Sequence, residues 1–216
     1  GRRRNLNRRY PGDCSLAKSS HKLRKMVPYG TMQLYIIRHA QSTNNAITDP
    51  VNRVCDPPLT ELGHRQAARI AQHLAREPHP EQDRGSDPEN THAHSERGYG
   101  IVRLYCSAMH RSLQTATAIG SAIGVQPEIW VDVHESGGIF LDHHDERGVI
   151  GYPGLTRSQI ESEFPAVAIP EGVHDEGWWD PTRGEEDWPT CQGRAVRVSK
   201  ELWRWVDEGI RGPIAI

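Results

Sequence analysis

A three-layer α/β fold, with a mostly parallel sheet covered by helices on both faces, is the fold class the sequence predicts. Two observations predict it. Short β-branched and aromatic runs alternate with amphipathic helical patterns. The residues able to do chemistry cluster just after those runs, at the strand ends where ligands sit in such sheets.

The elements follow in order. "MQLYIIR" (32–38) reads as a buried strand. "PLTELGHRQAARIAQHLARE" (58–77) reads as a helix with Thr60 as N-cap and Ala67, Ile70, Ala71 and Leu74 on one face. Residues 78–100 are polar and predict a surface insertion. "IVRLYCS" (101–107) is the second strand, and the helix over 110–124 ends at Gly124, a residue suited to a left-handed C-terminal cap. "EIWVDV" (128–133) is the third strand. An irregular, cap-like stretch over 136–190 follows, holding one short helix whose Thr156 and Gln159 form a capping box. The last helix spans about 191–208, with Ala195, Val198, Leu202 and Trp205 on one side, and "GPIAI" (212–216) opens a fourth, incomplete strand.

Composition sets the bounds. The 36% hydrophobic residues and 20 glycines of this 216-residue chain bring its apolar share to about 45%, enough for one core with ample polar loop. No apolar run approaches the ~18 residues of a membrane span, so a soluble protein without a membrane partner is expected. Charge is uneven: residues 1–30 hold nine Lys and Arg against one Asp, leaving 17 basic and 27 acidic residues over 31–216. That arm reads as a disordered basic extension, with a transit peptide as the alternative; the acidic remainder argues against a nucleic-acid partner. The expected location is therefore cytoplasmic, or organellar if residues 1–30 are a transit peptide. Four scattered cysteines (14, 55, 106, 191) read as reduced thiols, and the histidines of "THAH" and "LDHHDE" as loop residues rather than metal ligands.

The strand ends carry the chemistry. The first delivers Arg38 and His39, with Ser42 and Asn45 beyond; the second Ser107 and then Arg111; the third Glu135. Two guanidinium groups, an imidazole, an amide and a helix start make an anion site, because arginine forms bidentate bonds to phosphate oxygens. Positive charge beside His39 keeps the ring neutral, and a neutral imidazole facing a held phosphate is set up for phosphoryl transfer to nitrogen. Glu135 is the matching proton donor to the leaving alkoxide and then the base for water.

On these residues the chain resembles the histidine phosphatase superfamily, the phosphoglycerate-mutase-like proteins. "RHAQSTNN" is similar to R-H-G-E-[ST]-x-x-N, "PLTELGHRQA" to P-L-T-x-x-G-x-x-Q-A, and "SAMHRSLQTA" to S-x-x-x-R-x-x-Q-T-A, in that order. The resemblance implies a phosphoglycerate-mutase-like fold. It implies Arg38, Asn45 and Arg111 as the phosphate pocket, Ser42 beside them, His39 as the phosphorylated nucleophile and Glu135 as proton donor; Asp132 competes with Glu135. It implies no cofactor and no metal, and as partner a small phosphorylated substrate, with a homodimer as one option. Ala40 and Gln41 stand where the family has Gly and Glu. The family also has a second histidine after a late strand. None lies in that context here, so the chain is expected to stop inside that strand and to be weak or inactive as given. The expected activity is phosphomonoester hydrolysis through a phosphohistidine. A phosphomutase is the alternative, as is a noncatalytic phosphate- or phosphopeptide-binding module. Trp178, Trp179 and Trp188 either wall the substrate cavity or pack beneath a long loop, the second being favoured.

Overall fold

In "RLYC" side chains alternate, and the alternation sorts the core into two faces. This run is strand β2 (Arg103–Cys106) in a computed structural model that describes residues 32–76, 99–210 and 212–216. The basic extension over 1–30 and nearly all of the insertion over 78–100 lie outside the described residues, as do Cys14 and the "THAH" histidines.

Strands β1 (Leu34–Tyr35), β2, β3 (Pro127–Ile129) and β6 (Ile214–Ala215) form one parallel sheet in the order β1-β6-β2-β3. The short run at 214–215 thus sits between β1 and β2. On one face Leu104 and Ala215 pack with Ala71 and Leu74 of helix α2 (Glu61–Ala75) and Ile119 of helix α3 (His110–Ile123). On the other, Tyr105 and Ile214 pack with Trp205 of helix α5 (Trp188–Asp207). Tyr105 and Trp205 stack with ring centroids 5.1 Å apart. A side chain as fully buried as Ile214 stabilises the fold by about 1.5–3 kcal/mol. The remaining elements are a single helical turn, α1 (Thr43–Ala46), an antiparallel hairpin of β4 (Phe140–Asp142) and β5 (Val149–Gly151), and helix α4 (Arg157–Glu163). Among the described residues no helix is long and apolar enough to cross a membrane.

The caps follow the sequence. Thr60 accepts from the Gly63 amide, Thr156 and Gln159 cap α4 reciprocally, and α3 ends at Gly124 with φ 72°. Three expectations are corrected. The first strand is shorter and less buried than its composition predicts: among the described residues β1 pairs with β6 alone, at the sheet edge, and Ile36 is 82% exposed. The third strand ends at Ile129, because after Trp130 bonds Cys106 the chain tightens into a 3₁₀ turn over Val131–Val133. Finally, α5 starts at Trp188, where the Asp187 carboxylate caps the Thr190 amide, and Ala195 is exposed while Arg194 is buried beside it. The reason is polar: α5 there covers backbone carbonyls, which need a donor and not a methyl group.

Candidate active site

The loop after β1 is built by the three sequence motifs bonding to one another. The Thr115 hydroxyl accepts from the Ala40 amide at 3.2 Å and donates to the Arg111 carbonyl at 2.8 Å. Gln66 accepts from the Gln41 amide, and Gln41 in turn accepts from the Thr60 hydroxyl at 2.7 Å. Gln114 accepts from the Leu59 amide. An α2 helix start packed this closely explains Gly63: a Cβ there would stand 2.1 Å from the Gln41 carbonyl oxygen.

Arg111, buried at the start of α3, is the hub. Its Nε donates to His39 Nε2 at 3.1 Å and its Nη2 to Glu135 Oε2 at 2.6 Å. The other ring nitrogen, His39 Nδ1, lies 2.7 Å from the Ala40 carbonyl, which can only accept. The partners therefore fix the neutral tautomer, with the proton on Nδ1 and the Nε2 lone pair facing the guanidinium. His39 is held below the usual imidazole pKa, first by burial and then by the Arg111 and Arg38 charges, against the pull of the Ala40 carbonyl and Glu135. Burial leads, where the sequence pointed to the arginines alone.

Glu135 Oε2 stands 3.9 Å from His39 Nε2, its side chain 55% exposed. His39, Asn45, Arg53, Arg111 and Glu135 line one cavity of about 470 Å³, within the range of small-ligand sites. Its outer wall adds Phe140 and Leu141 of the hairpin. Arg38 is exposed beside the ring whose titration it influences. Asn45 Oδ1 accepts from the Ser42 amide and hydroxyl, which turns its NH₂ group the other way. Ser42 also lines the cavity, but it is buried and its hydroxyl donates to Asn45.

Other candidates fall elsewhere. Asp132 sits on the 3₁₀ turn and pairs with Arg197, away from His39. Ser107 is buried but does not cap α3, whose N-cap is Met109. Trp178 and Trp179 are buried in the core against His134, and Trp188 is 66% exposed, so none of the three lines the cavity. His143 bonds the Tyr152 hydroxyl, and Cys55, Cys106 and Cys191 are free thiols. Among the described residues, no group of three His, Cys, Asp or Glu stands close enough to hold a metal ion.

Two contributors were missed. The Asp56 side chain is 9% exposed, accepts from the His110 amide at 3.0 Å and stands 3.7 Å from Arg111 Nη1, with its Oδ2 lacking a hydrogen-bond partner. Burial raises its carboxyl pKa, and it occupies the helix start that the sequence offered to an anion. Its only sequence signal was its place just before "PPLT". Arg194 is the second, and nothing in an amphipathic helix pattern marks it.

Residues 34–87 match the sequence model of the histidine phosphatase superfamily (branch 1). No curated protein matches the chain. Among solved structures, the ecdysone phosphate phosphatase from Bombix mori in complex with tungstate is similar at 13% identity and a TM-score of 0.51, over 84% of this chain and 70% of that one. A mycobacterial glucosyl-3-phosphoglycerate phosphatase complexed with VO3 has 19% identity and a TM-score of 0.44, over 84% and 73%. A second mycobacterial structure, hydrolase 1, has 19% identity and a TM-score of 0.44, over 85% and 73%. The sequence pattern of residues 34–87 is that of the histidine phosphatase superfamily (branch 1), and the chain carries it in an α/β fold shared with a phosphatase.

Proposed function

We propose that the chain hydrolyses a small phosphomonoester through a phosphohistidine on His39, with no metal required. The observation that carries this reading is the His39 ring, its Nδ1 proton on the Ala40 carbonyl and its Nε2 facing Arg111 with Glu135 3.9 Å away. The family pattern over residues 34–87 supports a phosphatase.

In this reading the substrate phosphate enters the cavity and takes the Arg111 donors, joined by Arg38 and the Asn45 NH₂ group. The Nε2 lone pair forms the N–P bond as the ester P–O bond breaks, and Glu135 gives its proton to the departing alkoxide. Arginine charge on the equatorial oxygens lowers the barrier. Water then attacks phosphorus, Glu135 takes a proton from it, the N–P bond breaks, and inorganic phosphate leaves with His39 neutral again.

The test is phosphate release from a panel of phosphomonoesters with a chelator present, comparing the chain with His39→Ala. Release above the uncatalysed rate, which the chelator leaves unchanged and the substitution removes, is expected. Release that survives His39→Ala sinks the phosphohistidine. No release, with phosphate or vanadate still bound, turns the reading toward a mutase or a binding module.

A further inference from the structure

The segment that carries Glu135, just after the 3₁₀ turn over Val131–Val133, is gripped from both sides by one buried ion pair. Arg194 Nη1 donates to the carbonyls of Asp132 at 2.7 Å and His134 at 2.8 Å, three residues and one residue before Glu135. The rest of its guanidinium is held by Glu186, with Nε to Oε1 at 3.0 Å and Nη2 to Oε2 at 2.6 Å. The Glu186 amide in turn donates to the carbonyl of Gly137, two residues after Glu135, at 2.8 Å. Within that frame, the Gly138 amide and the His134 ring donate to the Glu135 carbonyl itself.

Side-chain exposure is 7% for Arg194 and 0% for Glu186, against 55% for Glu135. The backbone on either side of Glu135 is therefore fixed to a rigid fork inside the protein, while its carboxylate reaches into the cavity. Removing two charges from water is costly, and a surface pair would have tied α5 to this turn without that cost; Arg197 and Asp132 form such a pair one turn further along. What only the buried fork supplies is a fixed plane, with donors aimed at two carbonyls at once.

We propose that Arg194, oriented by Glu186, is a positioning residue that holds the Glu135 carboxylate beside His39 and Arg111. This rests on the reading of Glu135 as the proton donor. Through Glu135 it serves both proton transfers, and only the first, proton delivery to the leaving group, depends on which ester is bound.

The experiment compares two esters on the full chain. An alkyl phosphate such as glycerol 2-phosphate needs its leaving oxygen protonated, whereas 4-nitrophenyl phosphate does not. Arg194→Lys keeps the charge and loses the fork; Glu186→Asp keeps the charge and shortens the arm, and serves if the first variant fails to fold. Each is expected to lower kcat/KM, which reports only formation of the phosphohistidine, about 10- to 100-fold on the alkyl ester and within about threefold on the aryl ester. Glu135→Gln should show the same split, and adding Arg194→Lys to it should cost nothing more on the alkyl ester. Hydrogen exchange is read alongside: amides of residues 131–138 should exchange faster in both variants, with α2 and α3 unchanged as the folding control. Equal loss of kcat/KM on both esters, or unchanged protection over 131–138, overturns the proposal. Should the unaltered chain hydrolyse neither ester, the phosphatase reading fails, and the exchange measurement alone decides whether the fork holds the turn.

Discussion

His39 is the residue on which the chemistry turns, and its two neighbours decide its form. A carbonyl on Nδ1 and a guanidinium on Nε2 leave room for one proton, on Nδ1. Burial and the arginine charges favour the uncharged ring, so its folded pKa lies below the ordinary 6.5. If the neutral ring is the nucleophile, kcat/KM must fall as pH drops through that lowered value, which places the acid limb below pH 6.5. Arg38→Gln removes one of the charges that lower it, so the limb should move to higher pH. Comparing both proteins on one ester cancels the ester's own ionisation. Arg38 is exposed, so added salt should shrink the difference. A limb that stays in place, or moves to lower pH, would show that this charge does not act on the ring.

Among the elements, α2 and α3 bring the motifs together, and small residues let them. The Gly63 backbone packs against the Gln41 carbonyl so closely that a methyl group needs the loop after His39 to move. Gly63→Ala should therefore destabilise the chain by about 1–3 kcal/mol, read as a lower denaturation midpoint with unchanged m. It should also weaken phosphate binding, since the displaced loop carries His39 and Asn45; full stability in this variant would mean that the loop gives way freely. This packing explains why so much of the site was legible in sequence. Gln41, Thr60, Gln66 and Thr115 are bonded to one another or to the loop, and Gln114 to the Leu59 amide, so each motif is one side of the same contact. What the sequence hid were features set by distant partners. The strand pattern of "EIWVDV" gives way to a turn because Arg194, 62 residues from Asp132, takes a carbonyl there. A helix read for its apolar face assigned that inward position to Ala195, since an arginine scores as surface. Asp56 was hidden likewise: its partners His110 and Arg111 come from α3 and can be placed only once the fold is known.

For the molecule as a whole, the buried ionisable groups set how stability depends on pH, and the signs can be worked out. His39 and His134 are both held below 6.5, chiefly by burial. As pH falls below 6.5 the unfolded chain takes up protons that the folded chain refuses, so stability falls with pH through that window. Glu186 is held below its ordinary 4.5 by its hydrogen bonds to Arg194, which gives a second loss of the same sign as pH drops further. Asp56 opposes them. Its raised pKa means the folded state binds a proton first, so its contribution improves as pH falls toward 3.8. Two histidines act before a single carboxyl can compensate, and the net expectation is a steady loss of stability from about pH 6.5 downward. Urea midpoints at pH 7.5, 6.5, 5.5 and 4.5, at constant ionic strength, read this directly. His134→Gln should flatten the upper part of the slope without removing it, because His39 remains. Asp56→Asn should steepen the lower part, because that opposing carboxyl is gone. A midpoint that rises on acidification would mean that buried carboxyls, and not the two histidines beside Glu135, govern the acid response of this fold.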